Sequence, residues 1–93
     1  MDIKSLKIFQ HLAQSLHFGK TACKYHMSPS TLSRLIQRME QQLGYPLLIR
    51  DNRSVELTDS GLQFLEFAAQ QVDQWQQLVE NLSQQKKQLT GQL

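Results

Sequence analysis

Cysteine occurs once among the 93 residues, so no intramolecular disulfide can form, in keeping with a reducing compartment. No apolar run approaches the length of a membrane span and the Met1-Asp2 start carries no signal-peptide pattern, so a soluble, cytoplasmic protein with no membrane partner is expected. His11 and His17 make no metal-ligand spacing with Cys23; no metal, cofactor or catalysis is expected. Cys23 itself, beside Ala22, reads as a small buried thiol. A thiol enzyme using Cys23 and His26 would need an electropositive, exposed site that nothing in the sequence establishes. At 93 residues there is room for one domain and an appendage, and dimerisation would help so small a core.

Charge of either sign is modest overall, with a formal net of +2, but it is unevenly placed. Up to Thr58 eight Lys and Arg residues stand against four acids, leaving +4; beyond it the balance is −2. A basic excess confined to one part of a chain is what attraction to phosphate requires.

That basic part contains the most specific pattern of the chain. The stretch Phe18 to Arg38 reads as a short helix, a tight turn at Met27-Ser28-Pro29 and a second helix, the form of a DNA-reading helix-turn-helix. Ser28 can accept hydrogen bonds from the free N–H groups of the first turn, and Pro29 occupies the first helical position, where its missing N–H costs nothing. Ser30, Thr31, Ser33, Arg34 and Gln37 are polar and suited to base edges and phosphates; Leu32, Leu35, Ile36, Met39 and Leu43 fall on the opposite face. Arg38 and Lys24 are candidates for clamping the DNA backbone.

Around this motif the chain divides into recognisable elements. Ile3, Leu6, Phe9, Leu12, Ala13 and Leu16 form an apolar stripe of helical spacing, a lid over the motif's core, with Gly19 as the start of the next helix and Ala22, Tyr25 and Met27 as core. Gly44 and Pro46 end the reading helix. Leu47 to Arg50 and Val55 to Leu57, flanking the polar turn Asp51 to Ser54, suggest a small hairpin: the wing of a winged helix-turn-helix. Arg50 and Arg53 would reach a phosphate or the minor groove from it, unless Arg50 is paired with Asp51 or Glu56. Thr58 caps a long final helix in which Leu65, Ala68, Val72, Trp75, Val79 and Leu82 recur at steps of three and four, a heptad seam that needs a partner. Leu62, Phe64 and Phe67 fall off the seam, some of them packing back on the winged domain.

An ordered set of motifs covers nearly all of residues 1 to 61: the first helix with Leu6, Phe9 and Ala13, then HFGKTA, then SPSTLSRLIQRMEQQLGYPLLIRDNRSVELTDSG. In this the chain resembles the LysR-type bacterial transcription regulators, and SPSTLSR, RDNR and HFGKTA look most like those that govern isoleucine-valine synthesis. The resemblance implies a mainly α protein: a winged helix-turn-helix over 1–58 (helix-turn-helix about 18–37), a dimerising linker helix over 59–89 and a fraying tail at 90–93. It also implies a DNA-binding role for Arg53, a homodimer on an interrupted, near-palindromic operator, and no enzymatic activity. LysR-type chains continue into an effector domain, so this chain is expected to be an N-terminal piece, with a small-molecule effector sensed only by the intact regulator, there acetohydroxy-acid intermediates. The rival reading is a helical protein-interaction module without DNA specificity.

Overall fold

The computed structural model describes residues 1–91, with side chains as far as Lys86. Helix α1 (Ile3–Ser15) begins where the Asp2 carboxylate accepts the Ser5 N–H at 2.8 Å. It ends at Leu16, which turns left-handed (φ 51°) and returns its N–H to the Leu12 carbonyl. Leu6, Phe9, Leu12 and Ala13 are buried as their spacing predicts, and so is Ile8. Leu16 is not: the left-handed cap swings it off the stripe, and it is 40% exposed.

Helix α2 (Phe18–Lys24) starts ahead of Gly19, because the His17 ring supplies the cap, its Nδ1 accepting the Lys20 N–H at 3.0 Å. Thr21 is fully buried, yet its hydroxyl has partners, His11 Nδ1 at 2.7 Å and Ser15 Oγ at 3.0 Å. A buried hydroxyl satisfied from the neighbouring helix registers α2 against α1, since leaving it unpaired would be costly. Helix α3 (Pro29–Leu43) starts as expected, with Ser28 Oγ accepting the Thr31 N–H at 3.1 Å and Pro29 in the first turn. It stops at Gly44, whose φ of 83° a side chain would strain. Leu32, Ile36 and Met39 are buried, Leu35 half-buried, and Leu43, at the helix end, is 40% exposed.

Strands β1 (Leu48–Arg50) and β2 (Val55–Leu57) pair antiparallel in the register Leu48 with Leu57, Ile49 with Glu56 and Arg50 with Val55. The hairpin is held at its base. Glu40 of α3 accepts the Leu47 N–H at 2.7 Å through Oε2, and Thr58 donates its N–H to the Leu47 carbonyl and its hydroxyl to that of Pro46.

The Thr58 hydroxyl also accepts the Gly61 N–H at 2.9 Å and so caps α4 (Asp59–Gly91). The first turn of α4 lies flat on this loop, where a Cβ at Gly61 would overlap the Leu47 carbonyl oxygen. Of the expected tail, Thr90 and Gly91 are helical and residues 92 and 93 lie outside those described. Phe64 of α4 meets Phe9 of α1 edge-on, centroids 5.0 Å apart.

α4 packs on α1 along the first part of the expected seam. Ala68 is fully buried in the chain's own core, and Leu65 and Val72 are half-buried against the same core, because α1 covers that stretch. Trp75, Val79 and Leu82 remain about half exposed, together with Phe67 and Leu78.

Removing the Glu40 carboxylate orphans the Leu47 N–H, so Glu40→Ala should cost about 1–3 kcal/mol in denaturant unfolding, and Glu40→Gln less. An unchanged midpoint for Glu40→Ala would show that the loop is not held this way.

Candidate nucleic-acid interface

The face of α3 turned away from the core is polar and open. Ser28, Ser30, Thr31, Arg34, Gln37 and Arg38 are exposed, while Ser33 is half-buried. The hydroxyls at the helix start form one cluster: Ser28 Oγ lies 3.0 Å from Ser30 Oγ and donates to Thr31 Oγ1 at 2.9 Å. Rotatable donors and acceptors held at the positive end of a helix suit phosphate oxygens and base edges.

Thr31, Arg34 and Arg38 line a groove shared with Lys4 and Asp2 from the start of α1. Nothing in the sequence marks Lys4, the second residue of α1, as part of the site; a cation in the first turn of a helix is an ordinary surface residue until the fold sets it in one groove with Arg34. Lys24, at the end of α2, is exposed, its Nζ 5.9 Å from the centroid of the Tyr25 ring.

On the wing, Arg50 is paired with neither Asp51 nor Glu56. Its Nη1 donates to Ser33 Oγ at 2.6 Å, and its Cζ lies 4.3 Å from the centroid of the Phe18 ring. Asp51 instead organises the tip. Its Oδ1 accepts the N–H groups of Arg53 and Ser54, each at 2.7 Å, while the Asp51 N–H donates to the Ser54 carbonyl. The exposed Arg53 side chain is carried on that turn.

The same backbone donors hold the Asp51 carboxyl below its ordinary 3.8, the Arg53 N–H contributing most and the Ser54 N–H next.

Cys23 is exposed, not buried: Thr21 and Ala22 take the inward positions of α2 and leave the thiol on its outer side. Among the described residues no group of three His, Cys, Asp or Glu could hold a metal ion, and no helix is long and apolar enough to cross a membrane. The face offers hydroxyls, amides and cations, groups that suit a polyanion.

Residues 3–62 match the family model described as bacterial regulatory helix-turn-helix protein, lysR family. The chain is 54% identical over its whole length to the HTH-type transcriptional activator IlvY of Salmonella typhimurium, and spans about a third of that protein, 32%. Its fold matches the DNA-binding domain of CbnR solved as a DNA complex, with a TM-score of 0.86 and 29% identity, covering 92% of this chain and 99% of that one. It likewise matches the BenM DNA-binding domain on catB site 1 DNA, with a TM-score of 0.84 and 31% identity, covering 90% and 93%.

Because the folded state lowers the Asp51 pKa, its contribution to the turn is present above the ordinary aspartate range and is lost as pH falls through the folded value. In an acid NMR titration the Arg53 and Ser54 amide signals should move together at a pH below 3.8. Amides that titrate separately, or not at all, would show that Asp51 does not hold the tip.

Proposed function

The chain belongs to the lysR family of bacterial regulatory helix-turn-helix proteins, and on that premise we propose that it binds duplex DNA site-specifically as the N-terminal part of a transcription regulator. One observation carries the reading: α3 buries Leu32, Ile36 and Met39 while presenting Ser30, Thr31, Arg34 and Gln37 with no packing duty of their own. In this reading α3 lies in the major groove, with Arg34 and the hydroxyls of Ser30, Thr31 and Ser33 at base edges and Gln37 one turn on. Ser28, Arg38 and Lys24 serve the backbone, and Arg53 enters the minor groove beside it, where A·T-rich sequence deepens the negative potential.

The second half of α4 supplies the dimer. Trp75, Val79 and Leu82 of the expected seam, with Phe67 and Leu78, form an exposed apolar row that a second copy would cover. A two-fold pairing sets two reading helices about one DNA turn apart, roughly 34 Å, so the operator is an interrupted near-palindrome. Identity to IlvY over the full chain supports the finer assignment, a regulator of isoleucine-valine biosynthesis acting in the cytoplasm.

Selecting bound sites from a random DNA pool, then following affinity against salt, tests the reading. Steep salt dependence and a selected palindrome support it; affinity indifferent to salt and sequence would leave only a protein-interaction module. On the selected site Arg34→Ala should cost about 1–3 kcal/mol and relax preference at one position, whereas Arg38→Ala should weaken all sequences alike and flatten the salt slope by about one. Trp75→Glu should yield monomers by light scattering and lose affinity well beyond a single contact. A monomer that binds the operator undiminished would remove α4 from the interface.

A further inference from the structure

From the sequence Arg50 is expected to reach a phosphate or the minor groove unless it is paired with Asp51 or Glu56; the protein partners the structure gives it are others. Three elements converge on its guanidinium: β1, which carries it, α3, through Ser33 Oγ at 2.6 Å, and α2, through the Phe18 ring at 4.3 Å. Phe18 is itself half-buried against the core, and Ser33 is half-buried on α3, so neither partner is a mobile surface group. At the hairpin's outer end Val55, the cross-strand partner of Arg50, also packs half-buried against the core. Leu48, Leu57 and Thr58 hold its base, but Ile49 is 55% exposed, and Arg50 is the last strand residue before the Asp51 turn.

From this geometry we propose that Arg50 is a positioning residue, which locks the wing to the reading helix and so sets the spacing between Arg53 at the tip and Arg34 on α3. The proposal rests on the DNA-binding reading above. A guanidinium suits the task because its planar fork can donate to a hydroxyl while its face lies on an aromatic ring. An ammonium has the charge but not the plane. Donating to Ser33 also orients that hydroxyl, leaving its own O–H to point outward to DNA. Recognition in the two grooves is thereby coupled: moving the wing shifts Ser33, and losing Ser33 frees the wing.

The test uses the whole chain, wild type, Arg50→Lys, Arg50→Gln, Ser33→Ala and the Arg50→Gln/Ser33→Ala double variant, on the selected operator with A·T-rich or G·C-rich flanks across a salt series. A positioning role predicts that Arg50→Gln loses roughly fivefold or more on A·T flanks and less on G·C flanks, with an unchanged salt slope, because the groove contact of Arg53 is misplaced and no phosphate partner is lost. Arg50→Lys should not restore it, and the double variant should be no worse than the poorer single one. If Arg50 instead held a phosphate, Arg50→Gln would lower the slope by about 0.9 and weaken both flanks alike, and Arg50→Lys would largely rescue it; that result overturns the proposal.

A measurement without DNA separates this failure from that of the functional reading. The Arg50 Nε–H resonance should carry a ring-current shift that Phe18→Leu abolishes, and its absence overturns the lock whatever the wild type binds. A wild type that selects no site overturns the DNA-binding reading, and the positioning role with it, even if the ring-current shift is present.

Discussion

The fold turns on the short loop between α3 and β1, where two peptide groups are claimed from three directions. Glu40 reaches forward from α3 to the Leu47 N–H, Thr58 bonds the Leu47 and Pro46 carbonyls from the far side of the hairpin, and Gly61 lets the first turn of α4 settle on the same backbone. Buried backbone polar groups must find partners, so this loop has little freedom. One consequence is geometric: hairpin and α4 take their positions from the end of the helix that bears the candidate DNA-reading face. The base of the hairpin and the start of α4 are thus fixed by a handful of hydrogen bonds at the opposite end of α3 from Ser28.

What could be read from the chain alone was what depends on neighbours in sequence. The start of α3 follows from Ser28 and Pro29, its end from Gly44, the hairpin from two apolar runs around Asp51-Asn52, and the start of α4 from Thr58; each is a local rule about caps or turns. The misses are tertiary or conformational. Histidine is an uncommon helix cap, so nothing marked His17 in preference to Gly19 until its ring was seen over the Lys20 N–H. Leu16 has the spacing of a core residue, and only the left-handed turn of its backbone removes it. Cys23, beside Ala22 in a motif helix, reads as a buried small thiol, but Thr21 and Ala22 already occupy the inward positions of so short a helix.

The candidate site divides the same way. Ser30, Thr31, Arg34, Gln37 and Arg38 could be named because a helical period puts them opposite Leu32, Ile36 and Met39, and exposure follows from that opposition. Arg50 and Lys4 could not be placed, because their surroundings are supplied by residues distant in the chain: Ser33 and Phe18 for the one, Arg34 and Arg38 for the other. A basic side chain reveals its charge in the sequence but not its partner.

The heptad row of α4 shows how one pattern can serve two surfaces. Periodicity reports that a side of the helix is covered without saying by what. Here length decides: at 1.5 Å per residue α1, with 13 residues, spans about 20 Å, and α4, with 33, about 50 Å. A cover of 13 residues laid from the start of α4 runs out near residue 72, and Val72 is the last apolar residue of the row that packs against the core. Beyond it Trp75, Val79 and Leu82 keep the same spacing, with Leu78 exposed beside them and no α1 left to meet them. The row is therefore continuous in sequence and divided in surroundings, its first half packed into the domain's own core and its second half exposed.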